Sequence, residues 1–151
     1  MFADIARTRR SCRMFSDEPL SEDEIDTLLE TGALAPTSRN LRPVRLVPVR
    51  DADVIRRLSG CKDSGAKALE TAPFAIVVAA DPAVDTWVED SSIASIFLQM
   101  QAEDMGIGSC WIQVRMRSRG ETPAEDLVRE AAGIDGSFRI LSIIAFGRKS
   151  E

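Results

Sequence analysis

The chain has 151 residues, 44% of them hydrophobic and 28% charged, an ordinary composition for one globular domain with a real core. Its net charge of −5 argues against a general binder of nucleic acid or membrane surfaces. It holds no His and no Tyr, which excludes His-based triads, imidazole bases, His metal ligands and Tyr acids.

In chain order, residues 3–9 predict a short helix that runs into Arg9-Arg10-Ser11-Cys12-Arg13. Ser21 with Glu24 makes a capping box for a stronger helix, with Ile25, Leu28, Leu29 and Leu34 near one face and Gly32 and Pro36 ending it. A loop rich in hydroxyls and turn formers follows, Pro36 to Pro43. Val44 to Val49 reads as a strand, and Pro48 places it at a sheet edge or strand end because proline cannot donate to a ladder. Asp51 caps a helix to about Leu58, and Ser64 to Glu70 suggests a further short one. The unbroken apolar run Pro73 to Ala80 predicts a buried central strand. A long helix is expected from about Glu89 to Met105, with Ile93, Ile96, Phe97 and Met100 on its apolar side and Gly106 and Gly108 stopping it. Ser109 to Val114 is a short strand, Thr122 to Ala132 a helix ended by Gly133, and Arg139 to Phe146 the last strand. This order predicts one layered α+β or α/β domain over residues 1–151 with about four strands.

The three cysteines, Cys12, Cys61 and Cys110, are far apart and form no C-x-x-C, so neither a disulfide framework nor a zinc site is indicated. A reducing cytoplasm is the expected setting, since residues 1–10 lack the apolar core of a signal peptide and no apolar run is long enough to span a membrane. The carboxylates fall mostly on helix faces and caps, where charge complements the helix dipole rather than doing chemistry.

The basic cluster is the sharpest feature. A guanidinium offers a rigid fork of donors that matches phosphate, and a Ser hydroxyl can fill a further oxygen site. Clustered like charges also occur simply as solvated patches. With hydroxyl-rich loops and almost no proton-transfer machinery, an enzyme built this way would take its chemistry from a bound cofactor.

Several segments together resemble the FMN-dependent nitroreductase family. Arg9 to Phe15 with Glu18-Pro19-Leu20-Ser21 is similar to that family's opening, and Ala35 to Pro43 to its A-P-S-S-x-N-x-Q-P loop. Ala72-Pro73, Trp87 to Asp90 and Gly106 to Gln113 match in the same order. The resemblance implies a nitroreductase-like α+β fold: an α/β/α sandwich with a mainly antiparallel central sheet of about four strands flanked by helices. It implies a homodimer with FMN at the subunit interface, FAD being the less favoured flavin. NAD(P)H would be the electron donor, and a nitroaromatic, quinone or similar small-molecule acceptor would follow in a ping-pong scheme. No nucleic acid or membrane partner is implied.

By the same resemblance, Arg9 and Ser11 meet the FMN phosphate, Arg10 lies within reach of it, and Arg13 lies at the pyrimidine edge of the ring. Pro36, Thr37, Ser38 and Asn40 approach from the partner subunit. Trp111, Ile112 and Gln113 pass the ring, with a backbone N–H near Gln113 donating to flavin N5. The long helix is expected at the dimer interface. Where the family often continues with Gly-Tyr-Pro and a basic tail, this sequence has Phe146 to Glu151, leaving Arg148 as a candidate late phosphate contact and suggesting a smaller dimer. Val44 stands where many members carry an aromatic residue. A non-catalytic flavin-storage or interaction protein on the same scaffold is the alternative reading.

Overall fold

A computed structural model gives the fold of residues 1–150. Its helices are α1 (Phe2–Thr8), α2 (Glu22–Ala33), α3 (Ala52–Ser59), α4 (Trp87–Asp104) and α5 (Ala124–Ala132). The strands are β1 (Val44–Val49), β2 (Phe74–Ala80), β3 (Gly108–Gln113), a two-residue hairpin β4 (Ser118–Arg119) and β5 (Thr122–Pro123), and β6 (Arg139–Gly147). The main sheet runs β1-β2-β6-β3, every pair antiparallel. This is the layered α+β sandwich that the sequence predicts.

The sheet divides the core into two layers. β2 is buried along its whole length, as its apolar run requires, and its side chains alternate between the faces. Ala75, Val77 and Ala79 face one layer with Ile55 and Leu58 of α3 and Val128 of α5. Phe74, Ile76 and Val78 face the other with Ile25 and Leu28 of α2 and Leu98 of α4. β1 and β3 are the edges, and Pro48 lies in β1 where its missing N–H costs least.

Local signals hold at the helix starts. Ser21 Oγ accepts from the Glu24 N–H at 3.1 Å and Glu24 Oε1 accepts from the Ser21 N–H at 2.8 Å. Asp51 Oδ1 accepts from the N–H groups of Asp53 and Val54. Three expectations are corrected. Leu34 caps α2 and is exposed, not part of its apolar face. Between Ser64 and Glu70 only Lys67–Glu70 coils, as a 3-10 turn.

The third correction concerns α4. Its core side is made of small and polar residues, Ser91, Ala94, Ser95 and Gln99 with Leu98, while Ile93, Ile96, Phe97 and Met100 lie half-exposed on its outward side. Small residues let α4 approach the sheet closely, and Ser95 Oγ meets Ser142 Oγ of β6 at 2.9 Å. Ile96, Phe97 and Met100 line a shallow groove with Phe2 and Ile5 of α1.

Candidate functional site

The basic cluster is threaded between two structural rails. Ser11 pairs in parallel with Ser109 at the start of β3, and the Cys12 N–H donates to the Ser109 carbonyl at 2.8 Å. Phe15 then pairs antiparallel with Lys149, and its N–H donates to Thr71 Oγ1 at 3.0 Å. Gly147 makes room for Phe15: a Cβ at that glycine would lie 2.8 Å from Phe15 Cβ. Arg10 folds back onto the carbonyls of Arg7 and Arg9 at 2.7 Å. Among the described residues Arg9, Arg10 and Arg13 have no carboxylate partner, whereas Arg50, Arg129, Arg139 and Arg148 all do. Three arginines within five residues and without a carboxylate among the described residues leave net positive charge here, so an anion bound there would be favoured.

Beside the cluster lies the free edge of β3. The Val114 N–H bonds to the Leu141 carbonyl, and with Gln113 opposite Ser142 this fixes the alternation of the β3–β6 ladder. Ser109, Trp111 and Gln113 therefore turn their backbone groups outward. Two outward carbonyls show this directly: Ser109 accepts from Cys12, and Gln113 accepts from Lys62 Nζ at 2.8 Å. The N–H of Gln113 points the same way. The Trp111 and Gln113 side chains share the α4 face of the sheet and are joined by a 2.9 Å bond from Trp111 Nε1 to Gln113 Oε1. Ile112 has the opposite placement: its side chain is fully buried in the α3–α5 layer and its backbone turns inward to β6. Expected at the ring, it serves as packing beneath the edge.

Lys62, which sequence reasoning passed over, belongs to this edge. It is half-buried, has no carboxylate partner among the described residues, and is held below the ordinary lysine pKa by burial, with Arg117 adding to the effect. Arg13 and Lys62 both act on the Cys110 thiol, whose pKa burial nonetheless pushes up. A lone lysine in the loop after α3 gives no local signal; only the long-range fold sets it against Gln113.

The hydroxyl-rich loop sits elsewhere. The Ser38 N–H donates to the buried Asp90 carboxylate in the first turn of α4 at 3.1 Å. Thr37 Oγ1 accepts from the Arg42 N–H, and Asn40 Oδ1 accepts from Arg42 Nε, both at 3.0 Å. That leaves the amide nitrogen of Asn40 without a partner among the described residues, while Pro36 is exposed where the loop leaves α2. Arg39, Asn40 and Arg42 all adopt positive φ, a left-handed conformation that costs roughly 1–2 kcal/mol per non-glycine residue. The cluster is at the other end of α4, where Thr8 Oγ1 donates to Glu103 at 2.9 Å. From Asp90 to Glu103 the helix rises about 20 Å at ~1.5 Å per residue. Within one protomer the loop and the cluster do not converge.

Arg148, expected as a late phosphate contact, instead grips Glu24 with two bonds of 2.8 and 2.7 Å. That guanidinium holds the Glu24 carboxyl down to about 2, well under its usual range. The bidentate Glu125–Arg139 pair, at 2.8 Å for both bonds, is likewise structural; Glu125 also accepts from the Ile140 N–H, and Arg139 lies over the Trp87 ring at 4.8 Å.

The fold is thus an α+β sandwich with an uncompensated basic cluster against an open sheet edge. The comparisons are more specific. A model of the nitroreductase family matches residues 6–61 and 59–148, and the chain belongs to that family. An FMN-dependent nitroreductase from Clostridium difficile R20291 is 36% identical with a TM-score of 0.94, covering 97% of this chain and 87% of its own. A relative from Archaeoglobus fulgidus, provisionally named an NADH dehydrogenase/NAD(P)H nitroreductase, is 34% identical over 145 residues, 93% of this chain and 80% of that protein. A nitroreductase from Bacteroides fragilis crystallised with bound FMN shares the fold at a TM-score of 0.79 and 21% identity, over 99% of this chain and 88% of its own.

Proposed function

We propose that the protein is an NAD(P)H-dependent flavin oxidoreductase that binds FMN between two copies of the chain. The observation that carries this reading is the unpaired Arg9–Arg13 cluster lying against the open β3 edge. Its donor set fits the group: cations for a dianionic phosphate, and outward N–H groups for the acceptor edge of a planar ring.

In this reading Arg9 and Ser11, with Arg10 beside them, hold the phosphate. Arg13 supplies positive charge near the ring, and Lys62 adds to it while fixing the Gln113 peptide so that its N–H faces outward toward N5. Trp111, through its bond to Gln113, steadies that side chain. Arg148 is assigned to locking the end of β6 onto α2 rather than to the phosphate. Pro36, Thr37, Ser38 and Asn40 reach the ring from the second copy, because no single protomer brings them to the cluster. The outward Ile93, Ile96, Phe97 and Met100 of α4 supply an apolar face for that pairing.

When bound, FMN supplies two-electron chemistry, taking hydride from NAD(P)H at N5 and passing it to a nitroaromatic, quinone or similar electron-poor acceptor. The chain need only bind, orient and set the local potential, which suits a protein without His or Tyr. Steady-state oxidation of NADH and NADPH at several concentrations of a quinone tests this. Parallel double-reciprocal lines are expected; absence of turnover with added FMN would contradict the assignment.

A further inference from the structure

Three candidates stand outside the proposed chemistry. The apolar outer face of α4 is absorbed by the pairing described above. The groove bearing Arg56, Arg57 and Arg119 is a surface patch with nothing to mark a ligand. The third, a pair of cysteines on neighbouring chain segments, carries further.

Ser11 and Ser109 are directly opposite in a parallel bridge. After this single bridge the two segments run on as Cys12 and Cys110, and the Cys12 N–H donates to the Ser109 carbonyl at 2.8 Å. A disulfide spans roughly 4.4–6.8 Å between Cα atoms, so it can join residues of neighbouring segments. Both side chains are on one face: Cys110 is in the α3–α5 layer of the core, and Cys12 packs against that layer. Gly108 shares this face two residues before Cys110, and a Cβ there would lie 2.9 Å from Cys12 Sγ. The missing side chain at Gly108 is what lets the Cys12 sulfur lie over β3. Cys12 is half-exposed and reachable by a small oxidant, whereas Cys110 is buried. Cys61 is in the loop after α3 and is not paired with either.

We propose that Cys12 and Cys110 are a peroxide-responsive thiol pair that closes to an intramolecular disulfide, clasping the basic segment to the edge of β3. The balance needs one hydrogen peroxide. The Cys12 sulfur attacks a peroxide oxygen, the O–O bond breaks, one water leaves, and Cys12 becomes a sulfenic acid. The Cys110 sulfur then attacks the Cys12 sulfur, the S–S bond forms, the S–O bond breaks, and the second water leaves. Two thiols are oxidised by two electrons and one peroxide is reduced. The pair stands on the shared core layer and on the lie of the Cys12 side chain over β3 at Gly108, whatever ligand the cluster holds. Because the Cys12 N–H to Ser109 bond is the cluster's backbone link to β3, closing the pair would pin Arg9 to Arg13 covalently.

The test uses the whole protein, reduced with dithiothreitol, desalted and treated with hydrogen peroxide at near-stoichiometric amounts. Thiols titrated after denaturation should fall from three to one. The intact chain should become lighter by two hydrogens, a non-reducing peptide map should join Cys12 to Cys110, and dithiothreitol should reverse all three changes. Cys12→Ser should abolish the link while leaving Cys61 and Cys110 reduced. The proposal is overturned if the chain only gains oxygen on Cys12, if the link joins Cys61 or two separate chains, or if all three thiols survive. Should Cys110→Ser fold poorly as a second control, the wild-type peptide map decides by itself.

Discussion

Arg9 and Arg13 are four residues apart and chemically identical, yet the proposed function gives them different work. Arg9 is half-buried at the C-cap of α1, whereas Arg13 is exposed and its charge is felt at the Cys110 thiol of β3. Arg9→Ala should weaken FMN binding roughly tenfold or more, the scale of a lost charge-assisted contact, as read by fluorescence titration. Arg13→Ala should slow flavin reduction by NADH more than it weakens binding. Identical behaviour of the two variants would refute the division. Glu24 offers a pH test. Its folded carboxyl is held at about 2, below its ordinary 4.5, chiefly by Arg148. That stabilisation is complete above 4.5 and drains away as pH falls from there through about 2. Glu18, 3.7 Å from Arg148, adds a weaker pull on the same guanidinium. Glu24→Gln keeps the capping box but loses the ion pair. It should cost about 1–2 kcal/mol near neutral pH and flatten the acid limb of urea-unfolding stability. Gly147→Ala, whose new Cβ would lie 2.8 Å from both Phe15 Cβ and Pro73 Cδ, should cost about 1–3 kcal/mol by overpacking in the same unfolding assay.

At the scale of elements, what was legible in the sequence was what is written locally. The Ser21–Glu24 box, the Asp51 cap, the unbroken run of β2 and the edge mark of Pro48 each depend on neighbours within a few residues. The orientation of α4 was not legible, because apolar residues lie all round it. The large ones suggest the core side, but close approach to the sheet selects the small ones. The contact of Lys62 and the burial of Ile112 were not legible for a related reason. The first makes its contact with a residue 51 positions away, and the second has its side chain turned into the core by a strand alternation that only the ladder fixes. The outward face of α4 is testable. Phe97→Glu should weaken self-association at least roughly thirtyfold, the scale of an interface hot spot, and shift gel filtration toward the monomer. An unchanged profile would place the interface elsewhere.

At the scale of the whole molecule, the chain keeps two halves of one candidate site at opposite ends of a single helix. The basic cluster and β3 edge lie by Glu103, and the Thr37–Asn40 loop lies by Asp90. In the proposed dimer, pairing two copies through the outward side of α4 would bring each cluster to the other copy's loop. On that proposal, binding and association would be one event, and neither half would suffice alone. The most direct measurement is gel filtration of the protein after incubation with FMN, following protein and visible flavin absorbance together. The account predicts flavin colour travelling with a dimer, and loss of that colour in Arg9→Ala. Colourless protein eluting as a monomer, with all FMN in the small-molecule fractions, would contradict it.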